Sequence, residues 1–242
     1  MELTIVIPTY NEKENIEIFI PKIEKEVLKK RKIKGEIIVV DDNSPDGTAR
    51  AALKLNKKYK NIRVIIRNKK EGIGAALICG YNAASGRFIL SSDSDLSFST
   101  NDMLRLIDKI HSGYDLVVGS RHLTNKDYQK IKLKTFIKGF ISKYGNILVR
   151  VLSGVNIHDY SANLRIISND VWRDIKTKEK TNSILLEMIL KTAYKGYKVT
   201  EIPVKFLDRI YGKSKINLFK EAPKFLIRLI YYVFKYRILR MS

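Results

Sequence analysis

Short runs of β-branched and aliphatic residues recur along the chain, each followed by a stretch whose apolar positions repeat every three or four residues. Leu3 to Ile7 predicts a strand, and Ile16, Ile20 and Ile23 mark one face of the helix behind it. The rhythm continues with a strand over Glu36 to Val40 and a helix over Asp46 to Tyr59, then a strand over Ile62 to Ile66 and a helix over Gly72 to Ala84. Phe88 to Leu90 with a helix over Asn101 to His111, and a strand over Asp115 to Val118, complete it. Such alternation predicts an α/β fold, a mostly parallel sheet flanked by helices on both faces. Sheets of this kind bind ligands at the carboxyl ends of their strands.

Beyond Gly119-Ser120-Arg121 the pattern changes. Lys130 to Leu152 reads as a basic helical stretch, with Ile137, Ile141, Tyr144, Leu148 and Val151 in 4-3-4-3 spacing. A strand over Leu164 to Ile167, a helix over Ile184 to Ala193, an extended Lys198 to Phe206 and a final helix over Lys220 to Arg240 follow. With no internal repeat or long linker, the expected division is one domain over 1–215, containing the basic amphipathic stretch 130–152, and a helical appendage over 216–242.

At 242 residues and 45% hydrophobic content the chain can bury a sizeable core. A formal net charge of +21 draws such a surface towards nucleic acid, an anionic membrane or phosphorylated substrates, without choosing among them. Cys79 is the sole cysteine, which excludes an intrachain disulfide and fits a reducing, cytoplasmic setting. The opening "MELTIVIPTYNE" lacks a signal-peptide pattern, and no segment reaches the roughly 20 apolar residues of a membrane span. The expectation is a cytoplasmic protein, peripheral to a membrane.

Polar clusters fall at three expected strand ends: Pro8 to Glu12, Asp41 to Ser44, and Asp93-Ser94-Asp95. The two carboxylates of the last cluster form a polar turn that caps the next helix, or they bind Mg or Mn, hard cations that take a carboxylate or two plus substrate phosphates. "DDNSPDGT" supplies turn geometry from Ser44 to Thr48, while Asp41 and Asp42 are placed to read donors of a base or ribose. "EGIGAALICG" is not a dinucleotide fingerprint, because Leu77 stands at the third glycine, and His111, His122 and His158 are too scattered for zinc.

Taken in order, "IVIPTYNE", "VVDDNSPDGT", "GIGAALICGYNAA", "DSDLS", "GSR" and "VKFLDRIYGKSK" resemble glycosyltransferase family 2, and within it the dolichyl-phosphate mannose and related polyprenyl-phosphate sugar synthases. The string F-x-D-R-x-x-G-x-S-K, Phe206 to Lys215, carries the resemblance to that branch. It implies a GT-A type, Rossmann-like catalytic domain over 1–215 with C-terminal interfacial helices, and inverting transfer of a hexose, mannose from GDP-mannose first, to a dolichyl or polyprenyl phosphate. It also implies that Pro8, Tyr10, Glu12 and Asp42 hold the nucleotide, Asp93 and Asp95 the metal and diphosphate, and Arg121, Arg209 and Lys215 the phosphates. By the same resemblance Lys138, Ser142 and Asn146 meet the acceptor phosphate, joined by Arg121, Ser161 and Arg165, so that Asp95, Arg121, Lys138, Ser142 and Arg209 form the catalytic set. "DYSANLR" departs from the resembled D-x-x-S-G-F-R, with Asn163 and Leu164 in place of glycine and phenylalanine.

A phosphate acceptor, with a second pKa of about 6, is already largely a dianion at neutral pH, so no catalytic base is expected. In the last helix, Lys224, Arg228, Tyr231 and Lys235 share one face, opposite Phe225, Leu226, Leu229, Ile230 and Val233. That pattern fits a helix on an anionic membrane surface or one packed on the core. A membrane-embedded partner subunit is a further expectation. The rival enzymatic reading is a family 2 transferase using UDP-glucose or UDP-N-acetylhexosamine, or a saccharide acceptor. The rival from another class, a basic nucleic-acid binder suggested by "IRLIYYVFKYRILR", is disfavoured by the acidic rim, so no nucleic-acid partner is expected.

Overall fold

The computed structural model describes residues 1–123, 144–207 and 218–238. Its strands are β1 (Leu3–Thr9), β2 (Gly35–Asp41), β3 (Ile62–Ile66), β4 (Phe88–Ser91), β5 (Leu116–Ser120), β6 (Arg165–Ser168) and β7 (Val199–Pro203). The helices are α1 (Lys13–Ile23), α2 (Thr48–Tyr59), α3 (Ile73–Ala83), α4 (Thr100–His111), α5 (144–153), α6 (Asn169–Ile175), α7 (Ile184–Tyr194) and α8 (Leu218–Tyr232). α1 and α8 continue as wider, π-type turns over Glu24–Lys29 and Val233–Ile238. The expected α/β fold is present: one seven-stranded sheet in the order β3-β2-β1-β4-β6-β5-β7.

Period-two alternation on strands buried on both faces explains the continuous apolar runs. Ile5, Ile7, Ile37 and Val39 point into one core layer with Ile16, Phe19, Met103 and Leu106 of α1 and α4. Val6, Ile38 and Val40 point into the other, with Leu77 of α3, Trp172 of α6 and Leu186 and Met188 of α7. Gly80 lets α3 lie directly on the sheet, since a Cβ there would meet Val6 Cγ1 at 2.4 Å.

β1 pairs in parallel with β2 and β4, so the polar clusters after these three strands share one rim. β6 is the exception to the parallel pattern: it runs antiparallel between β4 and β5, with Arg165 in register with both Ser91 and Val118. An antiparallel strand starts where its neighbours end, so the segment before β6, residues 159–164, is delivered to the same rim as Asp93 and Arg121.

α8 packs on α7, and its two long faces differ from the simple amphipathic division. Leu229 and Tyr232 are buried, with Phe225, Val233 and Tyr236 packed beside them, whereas Leu226, Ile227, Ile230 and Phe234 are exposed. Tyr232 and Arg228 both reach Glu179 Oε2, at 3.1 and 2.9 Å. The apolar face read from the sequence is thus split: Phe225, Leu229 and Val233 join the core, and Leu226 and Ile230 face solvent.

In α5 the buried positions are Asn146, Val149 and Ser153. Tyr144, Leu148 and Val151, the described part of the expected apolar stripe, are 54, 45 and 67% exposed. Among the described residues no helix is long and apolar enough to cross a membrane.

Candidate active site

The rim after β1 and β2 is held by side chains. Asp41 accepts hydrogen bonds from the Thr9 hydroxyl at 3.0 Å and the Ser44 amide at 2.8 Å, which pins the ends of the two strands together. Ser44, Asp46 and Thr48 then accept the amides of Asn11, Lys13 and Glu12 at 2.9, 3.1 and 3.0 Å. The 44–48 segment is therefore a clasp on residues 11–13 as well as a turn, and it presents Tyr10 and Glu12 beside the strand ends. Pro8 is the penultimate residue of β1, in register with Val40.

Asp42, 4% exposed, braces the loop between β3 and α3. Its Oδ1 accepts from the Arg67 guanidinium at 2.6 Å, and its Oδ2 from the amides of Glu71 and Gly72 at 3.2 Å each. Gly72 has φ +96°, a conformation that L side chains rarely adopt. Gly74 permits a close approach, because a Cβ there would lie 2.2 Å from the Thr181 carbonyl oxygen. Both glycines of the G-x-G string thus serve backbone geometry. Lys70 Nζ stands 4.0 Å from the centroid of the Tyr10 ring and folds this loop over the same edge.

The acidic pair follows β4. Helix α4 is capped by Ser99, whose side chain accepts the Asp102 amide, so neither acid of the pair serves as that cap. Asp95, 3% exposed, accepts the Ser97 amide on Oδ1 at 3.1 Å. Asp93 Oδ1 accepts from Asn163 Nδ2 at 3.0 Å. Leu96, directly after Asp95, has φ +61°, a strained conformation for a branched side chain that costs on the order of 1–2 kcal/mol. The turn after β4 thus carries two carboxylates followed at once by a strained residue, a combination that recurs at functional sites.

Across the rim, Arg121 forks onto Asp159 through Nε at 2.7 Å and Nη2 at 3.0 Å, with Nη2 also 2.7 Å from Ser161 Oγ. Burial of Asp159 opposes ionisation, but the charge and hydrogen bonds of Arg121 outweigh it and hold the carboxyl well below the usual range. Phe206 lies under the guanidinium at 5.4 Å and meets Phe98 edge-on, linking the Arg121 side of the rim to the segment after Asp95. Asn146 Oδ1 accepts the Tyr160 amide at 2.9 Å and so ties α5 to the Asp159 loop.

Arg165 lies elsewhere than its expected role at the acceptor requires. It is fully buried, and its guanidinium donates to the carbonyl oxygens of Leu185, at 2.8 Å, and Ala162. Burial lowers its pKa to about 10, while Tyr81, Asp159 and Asp93 favour the cation, so it remains charged beneath the acids at neutral pH. The reason is its place as the first residue of β6, the strand inserted in the sheet's centre. Lys138, Ser142, Arg209 and Lys215 lie outside the described residues.

Arg67, Asp159 and Asn163 are the residues that the sequence did not single out as part of a site. Arg67 directly follows β3 on the same rim, a strand-end position that could have flagged it. Asn163 stood out only as a departure from the resembled string, and its contact with Asp93 depends on β6 running antiparallel.

The donor set suits a hard divalent cation held jointly with a phosphate ligand. It offers two carboxylates, and among the described residues no group of three His, Cys, Asp or Glu could enclose a metal without help.

The glycosyl transferase family 2 model matches residues 4–176. A dolichol-phosphate mannosyltransferase of Pyrococcus furiosus is 33% identical over 220 residues, 90% of this chain and 60% of the relative, so the chain spans 60% of that protein's length. A polyprenol monophosphomannose synthase of Mycolicibacterium smegmatis is 30% identical over 220 residues, 88% of this chain and 80% of the relative. Among solved structures, glucosyl-3-phosphoglycerate synthase of Mycobacterium tuberculosis, with Mn2+, UDP and phosphoglyceric acid, matches 96% of this chain and 77% of its own at a TM-score of 0.71. The mannosyltransferase PcManGT of Pyrobaculum calidifontis, with GDP-mannose and Mn2+, matches 100 and 65% at 0.62. Both are 16% identical to the chain, a likeness of fold.

Proposed function

We propose, since the chain belongs to glycosyltransferase family 2, that it transfers mannose from GDP-mannose to a dolichyl or polyprenyl phosphate at a membrane surface, with inversion at the anomeric carbon. One observation carries the lipid acceptor. The exposed apolar stripe Tyr144, Leu148 and Val151 sits on the helix whose Asn146 holds the 159–161 loop, and that loop fixes Arg121. A surface suited to lipid is thereby joined to a guanidinium suited to a phosphate.

In this reading Asp93 and Asp95 hold Mg2+ or Mn2+ together with the donor diphosphate, and the cation supplies positive charge to the departing phosphates. Tyr10, Glu12 and Asp42 line the nucleotide end. Arg121, fixed by Asp159, positions the acceptor phosphate, whose own charge makes a protein base unnecessary. Lys138, Ser142, Arg209 and Lys215 complete the phosphate-binding set by resemblance. The exposed apolar positions of α5 and α8, on a chain of net charge +21, support peripheral attachment to an anionic bilayer, with or without a membrane-embedded partner.

The test is sugar transfer to a polyprenyl phosphate in liposomes, comparing GDP-mannose, UDP-glucose and UDP-N-acetylglucosamine with and without Mn2+, and Asp95→Ala as control. Mannosyl-phosphoryl lipid made only with metal and intact Asp95 is the expected result. Transfer solely from a UDP-sugar would overturn the donor assignment. Metal-dependent nucleotide binding with no lipid product from any donor would overturn the acceptor.

A further inference from the structure

Two carboxylates one residue apart repel each other unless their charges are compensated or held for something cationic. Asp95 accepts the Ser97 amide and Asp93 the Asn163 side-chain amide, a neutral donor that adds to the more distant charge of Arg165 beneath. A Lys or Arg in the place of Asn163 would stabilise Asp93 more strongly but would compete with an incoming cation. A neutral amide orients the carboxylate and leaves its charge in place.

The orientation of that amide follows from the groups behind it. Tyr81, 1% exposed on α3, donates its hydroxyl to Ser91 Oγ at 2.8 Å. Burial pushes the Tyr81 phenol up to about 12, so at neutral pH it is a donor. Ser91, accepting that hydrogen bond, shares its own hydroxyl proton between the Asn163 carbonyl oxygen and Oδ1, 2.8 and 3.0 Å from Ser91 Oγ. With Oδ1 facing a donor, Nδ2 faces Asp93. The chain Tyr81, Ser91, Asn163, Asp93 therefore has one direction, set in the core. Tyr81 is anchored there against Trp172, with ring centroids 4.7 Å apart, and Ser91 and Asn163 are 0 and 2% exposed. The pattern that this segment resembles has glycine at position 163, which could make no such bond.

We propose that Asn163 is a positioning residue that holds Asp93 as a pre-oriented ligand for the divalent cation of the nucleotide complex, with Ser91 fixing the sense of its amide. The inference rests on the metal-dependent reading above and deepens it. Groups that orient a metal's ligands are worth about 10-fold or more in metal affinity when removed.

The experiment is a Mn2+ titration followed by electron paramagnetic resonance, on the full chain with whichever of GDP or UDP the wild type retains. Nucleotide affinity in EDTA is measured in parallel. Asn163→Ala and Asn163→Gly are expected to weaken Mn2+ binding about 10-fold while leaving the metal-free nucleotide affinity unchanged. Ser91→Ala, which keeps Asn163, is expected to shift the midpoint the same way by a smaller factor. A folded Asn163 variant with the wild-type Mn2+ midpoint would overturn the proposal. So would equal weakening in EDTA, since that indicates a general structural role. Failure of the metal reading itself is distinguishable, because the unsubstituted chain would then bind no Mn2+ in an Asp95-dependent way.

Discussion

Arg121 and Asp159 form a two-pronged ion pair, Nε to Oδ2 and Nη2 to Oδ1, in which the acid is fully buried and the guanidinium is partly exposed to the rim. The same acid accepts the amides of Ser161 and Ala162 at 3.1 Å each, so it shapes its own loop as well as fixing the arginine. Asp159→Asn keeps the shape and removes the charge. It is expected to destabilise by about 3 kcal/mol, because one member of a buried pair is lost, and to cut transfer at least 10-fold with a raised acceptor KM. Steady-state kinetics and denaturant melts check both.

The same pair predicts a pH dependence. The folded pKa of Asp159 is depressed, so its contribution to stability is complete above the unfolded value of about 3.9 and is lost as pH falls below it. Wild-type melting temperature is expected to drop more steeply than that of Asp159→Asn between about pH 5 and 3, a range bracketing that unfolded value. Parallel curves would remove Asp159 from the acid sensitivity of the fold.

Glu24 has the opposite sign. It is 4% exposed and its Oε1 has no hydrogen-bond partner, and burial raises its pKa against the opposing influence of Asn61 and Lys29. The folded state thus holds the proton more tightly than the unfolded chain, and stability falls as pH rises through the carboxyl's titration. Glu24→Gln is expected to stabilise at pH 7 by about 1 kcal/mol, some 2–4 °C in Tm, with the gain shrinking towards pH 4. Calorimetry at the two pH values measures it.

Arg67→Ala should loosen the loop that Asp42 braces. Both side chains are largely buried, at 10 and 5% exposure, so the loss leaves Asp42 without its cation. The expected outcome is nucleotide affinity lowered about 10-fold, read by calorimetric titration with GDP and UDP, with liposome binding unchanged.

α8 calls for substitution, not deletion, as the test of membrane attachment. Removing the chain from Phe225 onward would also strip Leu229 and Tyr232 from the core. Ile230→Gln with Phe234→Gln changes exposed positions alone and is expected to reduce liposome co-sedimentation several-fold with little change in Tm. Tyr232→Phe is the complementary variant: it loses the bond to Glu179 and should cost about 1 kcal/mol of stability without altering liposome binding.

Most elements were legible because each strand and helix here follows its own periodicity. The run Leu3 to Ile7, the helix ending at Tyr59 and the helix ending at His111 stand where their patterns predict. α6 escaped notice: its seven residues are too short for an apolar repeat to stand out. The acidic rim was legible for a related reason, since parallel strands put their following loops on one side, and β1, β2 and β4 are neighbours.

The sequence by itself determined the alternation of elements, the polar strand ends and, through its ordered motifs, the family. Local periodicity and motif order are written along the chain and need no long-range contact to be read. Only the tertiary structure decided that Arg165 lies under the site, that Asn163 reaches Asp93 across 70 positions, and that α8 divides its apolar residues between core and solvent. Each depends on where a distant segment runs: β6 antiparallel between β4 and β5, and α7 beside α8. No local pattern encodes that pairing, because the hydrogen bonds and buried area that select it exist only once the separated pieces meet.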